Sequence, residues 1–171
     1  MPIVEADLAI RISGGPSNTD PNLSLGGAMS TDANGEIVSG QPNNDMDAIT
    51  GDESSAGITI YHAYYYQNNH ASLTWINPVI WIESQTSSSD TSVDIAISDE
   101  AKNVALETVP NEETAPVGPV FSTPANKAAG LAIESLDAGD NQGFWVKYTV
   151  NTSSPAATDS YTISAEGDSN Q

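Results

Sequence analysis

Two acidic segments carry the residue types that could bind a metal ion. Asp45, Asp47 and Asp52 place carboxylates at short intervals in a polar stretch, as calcium-binding loops do. The EF-hand spacing is not met, because isoleucine stands at the fifth position and the glycine comes one residue late. Asp137 and Asp140 form a second acidic turn. We interpret both segments as solvated loops and predict no cofactor, with a structural calcium ion, or another cation at high salt, as the alternative.

The two histidines, His62 and His70, are the other candidates for catalysis or metal binding. A zinc site normally has three or four nitrogen or sulfur ligands, and the chain contains no cysteine. We therefore interpret His62 as a strand residue and His70 as a turn residue. Serine and aspartate are abundant, but no G-x-S-x-G element stands at a strand-to-helix turn. The sequence thus predicts a protein without enzymatic activity.

The aromatic residues suggest binding rather than catalysis. Trp75, Trp81 and Trp145, together with the tyrosines at 64–66, could stack on sugar rings or pack between subunits. On strands, such side chains more often belong to the core of the protein's own fold. A carbohydrate-binding or cell-surface-binding module is therefore one function class, and a structural protein with aromatic subunit contacts is another.

The elements that must position these residues belong to an acidic chain of 171 residues, a length suited to one domain. The chain has 4 basic and 23 acidic residues, which gives a formal charge of -19. So few cations cannot neutralise phosphates, and we predict no nucleic-acid partner. No apolar run reaches the roughly 18 residues of a membrane span, so we predict no membrane partner. The absence of cysteine excludes a disulfide scaffold.

The charge also indicates the conditions in which the protein works. A surface of this charge repels itself at low ionic strength, whereas about 1 M salt shortens the Debye length to about 3 Å. We interpret the acidity as adaptation to high salt. The first residues lack the basic start and the apolar stretch of a signal peptide. We therefore expect the protein to stay inside the cell or to leave it as part of an assembly.

Alternating apolar and polar residues predict about eight to ten short strands, separated by turn residues. The predicted strands are 7–12, 37–38, 58–66, 73–76, 79–82, 93–97, 104–108, 118–121, 144–150 and 159–165. We expect 58–66, 79–83, 144–150 and 159–165 to form the core, with the last two as a pair. The fold class is all-β: residues 1–171 form a single antiparallel β-sandwich or jelly-roll-like domain with long loops rich in Gly, Asn and Pro.

Local signals refine this prediction. Asn34-Gly35 is typical of a hairpin turn, and Asn77-Pro78 predicts a bend or bulge. Residues 41–56 are expected to form a polar loop, and 127–136 the one short helix. The strand 58–66 carries aromatic residues on both faces, so we expect it to be covered on both sides or to lie at a subunit contact.

Three stretches carry a resemblance to a known family. Residues 10–27 read as a strand followed by S-G-G-x-x-N-x-D-P-x-x-S-L-G-G. Residues 60–69 are a strand that ends in aromatic-x-x-N, and residues 144–167 contain W-V-x-Y-T-V and D-S-Y-T-I-x-x-E-G. Together they resemble a family of small structural proteins of tailed viruses, and the acidity would suit a virus of a halophilic archaeon.

The resemblance implies a virion component without enzymatic activity, present in many copies. The favoured position is the capsid surface, as a decoration or turret subunit that forms a homo-oligomer, trimer to hexamer, and contacts other virion proteins such as the major capsid protein. A neck, tail or baseplate position in the same virion is the alternative.

A long glycine-rich loop, 13–27, is expected to serve as an arm along an adjacent subunit, because long loops of this kind are often functional. The predicted interface residues are Pro16, Asn18, Asp20, Pro21, Leu23, Leu25, Tyr61, Tyr65, Trp75, Trp81 and Trp145.

Overall fold

The strands of the protein form two antiparallel sheets. A computed structural model describes residues 2–151 and 159–170. Its strands are β1 Leu8–Ile12, β2 Ile58–Asn68, β3 Trp75–Ser84, β4 Thr91–Ile97, β5 Leu131–Ala132, β6 Asn141–Val150 and β7 Thr162–Ser169. One short α-helix, α1, spans Gly51–Ala56. No helix in these two ranges is long and apolar enough to cross a membrane.

The two sheets pack face to face around a common apolar core. The first sheet has the order β1-β2-β6-β4, and the second has the order β5-β3-β7. Alternate residues point inward, so that Tyr64 and Phe144 of the first sheet share the core with Trp75 and Ile80 of the second. The prediction of an all-β sandwich is confirmed.

Strand β2 is buried on both faces, as its sequence predicts. Ile60 and Tyr64 belong to the core between the sheets. Ala63 and Tyr65 point to the opposite side, where they join Trp145 in a second apolar cluster. Loops of the same chain, residues 13–29 and 99–122, cover this second cluster, and we call these two segments the loop layer.

Buried hydroxyl groups hold the glycine-rich loop against its own sheet. The Ser24 hydroxyl donates to the Ala63 carbonyl of β2 at 2.5 Å, and the Ser13 amide donates to the Ser24 Oγ at 3.0 Å. The Asn18 side-chain amide donates to the Ser13 carbonyl at 2.6 Å. Gly27 forms a β-bridge with Leu106. These polar contacts hold the loop to its own subunit.

The expected pairing of the last two strands is wrong. The strand predicted at 144–150 is β6, which lies between β2 and β4 in the first sheet. The strand predicted at 159–165 lies further along the chain, at Thr162–Ser169, and pairs with β3 in the second sheet. Strands β2 and β4 already pair with the two edges of β6, so β7 belongs to the second sheet. Most of the loop that connects β6 to β7, residues 152–158, lies outside the described residues.

Several short elements also differ from expectation. The helix predicted at 127–136 is a 3-10 turn, Lys127–Ala129, followed by β5, because Gly130 lies tight against β3. Asn34-Gly35 is not a hairpin turn but part of a 3-10 turn at 33–35 that the Asp32 side chain caps. The loop predicted at 41–56 contains α1, which a reciprocal Thr50–Glu53 capping box begins.

Three of the predicted strands are wrong, so that the described residues form seven strands rather than eight to ten, and the bend or bulge predicted at Asn77-Pro78 is confirmed. Segments 104–108 and 118–121 are not strands. In the first, Leu106 makes only an isolated β-bridge with Gly27, and the β-bridge between Ser122 and Ile95 lies one residue beyond the second. Segment 37–38 is irregular. Predicted strands 73–76 and 79–82 form one strand, β3, whose register shifts between Ile76 and Val79, around Asn77-Pro78.

Each of the four basic residues forms a salt bridge with a carboxylate. The pairs are Arg11–Glu36 at 3.4 Å, Lys102–Asp140 at 2.8 Å, Lys127–Glu166 at 2.6 Å and Lys147–Asp94 at 2.8 Å. The remaining acidic residues have no basic side chain of their own to balance them. The folded surface therefore keeps its net repulsion at low ionic strength.

We expect salt to stabilise the fold by screening this repulsion. Raising KCl from about 0.1 M to about 1 M shortens the Debye length from about 10 Å to about 3 Å. The melting temperature should rise by at least about 5 °C, which for a chain of this size corresponds to roughly 2 kcal/mol. Calorimetry measures it, with NaCl at equal ionic strength as the control. A melting temperature independent of salt contradicts the adaptation, and a further rise with millimolar CaCl2 would indicate bound calcium.

A glycine pair tests how tightly the loop layer is packed. Gly26 has φ +95° and a Cβ there would lie 1.7 Å from the Glu107 carbonyl oxygen; Gly15 has φ +107° and open space. Gly26→Ala should lower the free energy of unfolding by about 3 kcal/mol or more, because the loop backbone must move. The control Gly15→Ala should cost only about 1 kcal/mol, from its backbone conformation. Urea unfolding in high salt compares them, and equal losses would contradict the close packing.

Candidate interaction surface and buried histidine

Exposed apolar side chains are concentrated on the loop layer. Six large hydrophobic side chains among the described residues are exposed. Four of them lie in the loop layer: Leu23 at 57%, Val104 at 48%, Val117 at 80% and Val120 at 81% exposure. The layer thus buries apolar residues on its inner side and presents others to solvent.

The loop that carries Val117 and Val120 is held in place by polar contacts. The Val117 amide donates to the Glu107 carboxylate at 2.8 Å, and the Glu107 amide donates to the Glu100 carboxylate at 2.8 Å. Gly118 has φ +105° and lies so close to the Asp99 side chain that a Cβ would clash with it. An apolar tip fixed in this way loses little conformational entropy when it binds a partner.

The aromatic neighbours of this loop connect it to the sheet. Phe121 packs edge-on against Tyr61 of β2, with ring centroids 5.5 Å apart. The Tyr65 hydroxyl donates to the Gly27 carbonyl at 2.6 Å and accepts from the Leu106 amide at 3.0 Å. Tyr65 therefore fastens both segments of the loop layer to β2.

The predicted interface residues divide into exposed and buried sets. Pro16, Asp20 and Leu23 are exposed, and Pro21, Leu25 and Tyr61 are half-buried. Asn18 and Tyr65 are buried within the subunit, and so are the three tryptophans. The buried residues are Asn18, Tyr65, Trp75, Trp81 and Trp145, with exposures of 9%, 1%, 2%, 9% and 0%.

The burial of the tryptophans differs from their prediction as contact residues. Trp75 lies in the core between the sheets, and Trp145 lies beneath the loop layer. The Trp81 indole donates to the Glu83 carboxylate at 2.5 Å. Strand sequence alone does not show which faces of the two sheets are covered, so a buried aromatic residue and a contact residue look alike in it. In this subunit no indole ring offers a free face to a sugar.

The sequence analysis missed Val117 and Val120. Both lie in the segment Pro116-Val117-Gly118-Pro119-Val120, where two valines stand between residues that favour fixed, non-regular backbone. Pro116 is buried, while the valines point outward. Apolar residues that alternate with Pro and Gly in an acidic, irregular stretch are a signal that could have identified this tip.

His62 is the one histidine of the core. Its side chain is fully buried, and neither ring nitrogen has a hydrogen-bond partner among the described residues. Its Nε2 lies 3.4 Å from the Glu112 carboxylate, a longer contact than an ordinary hydrogen bond. The Glu112 carbonyl accepts from the Tyr61 amide at 2.7 Å, which anchors this acid at the edge of β2.

Burial controls the protonation of this pair. Desolvation lowers the pKa of His62 below its ordinary value, and the carboxylates of Asp45 and Asp47 offset only part of the effect. Desolvation also raises the pKa of Glu112, and the neighbouring carboxylate of Asp47 adds to the rise. Both shifts favour the neutral forms, of His62 inside the fold and of the half-buried Glu112.

Tyrosine hydroxyl groups bind two aspartates at one side of the core. Tyr161 donates to the Asp45 carboxylate at 2.6 Å, and Tyr64 donates to the Asp45 carbonyl at 2.6 Å. Tyr148 donates to the Asp159 carboxylate at 3.2 Å. Desolvation raises the pKa of Tyr148 to about 12, so the phenol stays protonated. These residues line a cleft of about 700 Å³.

The structure places the predicted calcium ligands apart from one another. The Asp45 carboxylate accepts a hydrogen bond from the Tyr161 hydroxyl, whereas Asp47 and Asp52 are exposed. Lys102 occupies the second acidic turn through its contact with Asp140. Among residues 2–151 and 159–170, no three His, Cys, Asp or Glu side chains come close enough to hold a metal ion. A cation bound at high salt stays a prediction.

His70 lies in the turn after β2, where its Nδ1 accepts from the Ser72 amide at 3.1 Å and the Leu73 amide at 3.0 Å.

Comparison of the chain with protein-family models, with curated proteins and with solved structures gives no match. The chain's own residues therefore define its class: an acidic β-sandwich with a loop layer that presents apolar side chains.

The lowered pKa of His62 predicts a specific loss of stability in acid. The imidazole of the unfolded chain has a pKa of about 6.5, and burial lowers the pKa of His62 in the folded protein below this value. When the pH falls through about 6.5, the unfolded state therefore binds more protons than the folded state does. The contribution of His62 is thus present at higher pH and is lost on acidification. Wild type should lose stability relative to His62→Leu between about pH 7.5 and about pH 5.5.

Urea unfolding of both proteins measures this difference, because the carboxyl groups titrate in both and largely cancel. An NMR titration of the histidine ring protons gives the pKa of His62 directly, with His70→Asn used to assign the two signals. A His62 midpoint at or above about 6.5 contradicts the effect of burial.

Proposed function

We propose that the protein is a non-enzymatic structural subunit of a tailed virus, a decoration or turret protein on the capsid surface that assembles as a homo-oligomer. The observation that carries the proposal is the loop layer, which holds Leu23, Val104, Val117 and Val120 exposed on fixed backbone. Apolar side chains held in this way are typical anchors of protein–protein contacts.

The loop layer fits a contact with a protein rather than with a small molecule. Its exposed apolar residues project outward on loops, whereas small-molecule sites are concave and enclose their ligand. The partners would be neighbouring copies and an underlying virion protein such as the major capsid protein. High salt would screen the charge of -19 that each copy carries, and apolar contacts would then dominate.

The alternatives receive less support. A neck, tail or baseplate position would use the same apolar contacts, and the genes beside the coding sequence would distinguish these positions from a capsid position. A carbohydrate-binding module would need exposed aromatic platforms, but Trp75, Trp81 and Trp145 are buried. No observation in the structure favours the carbohydrate module.

The test compares two double variants of the same chemistry. Val117→Ser/Val120→Ser removes the apolar tip of the loop layer. Val4→Ser/Val38→Ser removes two other exposed valines, each 53% exposed and outside the layer. Light scattering in about 2 M salt, where repulsion is screened, measures the mass of each. We expect wild type and the second variant to form a trimer to hexamer, and the first variant to lose at least about tenfold in association, or about 1.4 kcal/mol.

A wild-type protein that stays monomeric and folded at every concentration would contradict the proposed homo-oligomer. An oligomer that both double variants preserve would show that the loop-layer tip is not the contact. Circular dichroism of each variant confirms that the sandwich itself is intact.

A further inference from the structure

Backbone hydrogen bonds of the same chain close most edges of the two sheets. At the outer edge of β1, the Ile37 amide donates to the Ile10 carbonyl at 2.8 Å, and the Ser30 amide donates to the Ile12 carbonyl at 2.9 Å. At the outer edge of β4, Ile95 exchanges both backbone bonds with Ser122, at 2.9 and 3.0 Å. The edge strand β5 has only two residues. These are common ways to prevent a sheet from pairing with another chain.

Strand β7 is the exception. It is an edge strand of eight residues, and it pairs with β3 on one side. On its other side, no backbone from the described residues forms a bridge or a hydrogen bond with it. A strand of this length with a free edge presents a row of unpaired amide and carbonyl groups, which is a template for another strand.

We propose that β7 pairs antiparallel with β7 of a second copy, which joins the two three-stranded sheets into one six-stranded sheet. We assign a second copy to this edge because a free strand edge pairs with another free edge. Among the described residues, β7 is the long strand with such an edge. The same edge on both partners gives a two-fold, isologous contact. This inference rests on the self-association in the proposed function, but it uses a surface other than the loop layer.

The side chains of β7 favour one register. Ile163 and Ala165 pack on the core, so a continuous sheet must bring inward-facing residues opposite one another. Pairing centred on Ala165 meets this condition. It places Asp168 opposite Thr162 of the second copy and Glu166 opposite Ser164, so that each acid faces a hydroxyl group. Pairing centred on Glu166 would instead place like charges opposite each other, which destabilises a sheet.

The charge of β7 makes this contact dependent on salt. Glu166 and Asp168 lie on the exposed side of the strand, and Lys127 pairs with Glu166 at 2.6 Å. Asp168 has no basic partner among the described residues, and the two subunits repel each other through their net charge. Low ionic strength therefore disfavours the pairing, and high salt permits it by screening.

The experiment introduces a positive and then a negative charge at one exposed position, Thr162. Thr162→Lys places an ammonium opposite Asp168 of the second copy, and Thr162→Asp places a carboxylate there; the two-fold axis doubles each effect. Thr123→Lys and Thr123→Asp are the matched controls. Thr123 is also exposed, and it lies on the far side of β3 from β7, where the Pro124 carbonyl accepts from the Ile82 amide.

Sedimentation equilibrium at the lowest salt that supports association gives the dissociation constant. We expect Thr162→Lys to tighten self-association and Thr162→Asp to weaken it, each by at least about threefold relative to its Thr123 control. Amide hydrogen exchange should also show the protection of β7 increasing with protein concentration. The inference would be overturned if the Thr162 variants changed the dissociation constant no more than the Thr123 controls do. Amide hydrogen exchange of β7 that is independent of protein concentration would overturn it as well.

The outcomes distinguish this inference from the proposed function. A trimer to hexamer that is insensitive to Thr162 overturns the β7 contact alone. A dimer that responds to Thr162 supports the β7 contact and contradicts the proposed range of copies. A monomer under all conditions overturns the proposed homo-oligomer and the β7 contact together.

Discussion

The two apolar faces of β2 are the constraint on which the rest of the structure depends. A strand with Tyr64 toward one side and Tyr65 toward the other cannot leave either face in water without exposing large aromatic surface. The second sheet covers the Tyr64 side. In the described part of the chain no further sheet covers the Tyr65 side, and irregular segments bury it. A buried irregular segment needs partners for its backbone groups, and Ser13, Ser24 and the Tyr65 hydroxyl supply them.

This arrangement explains why the glycine-rich stretch packs closely against its own sheet. Gly26 approaches the Glu107 carbonyl where any side chain would clash, and Asn18 and Ser24 are buried. The part of residues 13–27 that remains available to a neighbour is its exposed rim, which includes Pro16 and Leu23. In the proposed contact surface, the loop would contribute these side chains, which its packing holds in place.

Local patterns in the sequence predicted the longer strands β2 and β6, whereas the pairing of the strands depends on distant residues. The alternation in β2 and β6 is a local property, and both strands lie where it predicts them. The separation of β6 from β7 depends on β4, which occupies the second edge of β6 from far away in the chain. The burial of His62 and of Trp145 depends likewise on loops that carry no periodic signal. Gly130 kept 127–136 from forming a helix because its backbone lies against Val79, a contact visible only in three dimensions.

The two proposed contacts lie on different parts of the subunit. The loop layer covers the outer side of the first sheet, and β7 lies at the edge of the second. The proposed β7 contact is two-fold and joins copies in pairs, so a closed assembly in which every β7 is paired must contain an even number of copies. Within the range from trimer to hexamer, this condition leaves the tetramer and the hexamer. Because each subunit carries a charge of -19, either assembly would concentrate negative charge, and its stability would then depend on the surrounding salt as well as on its contacts.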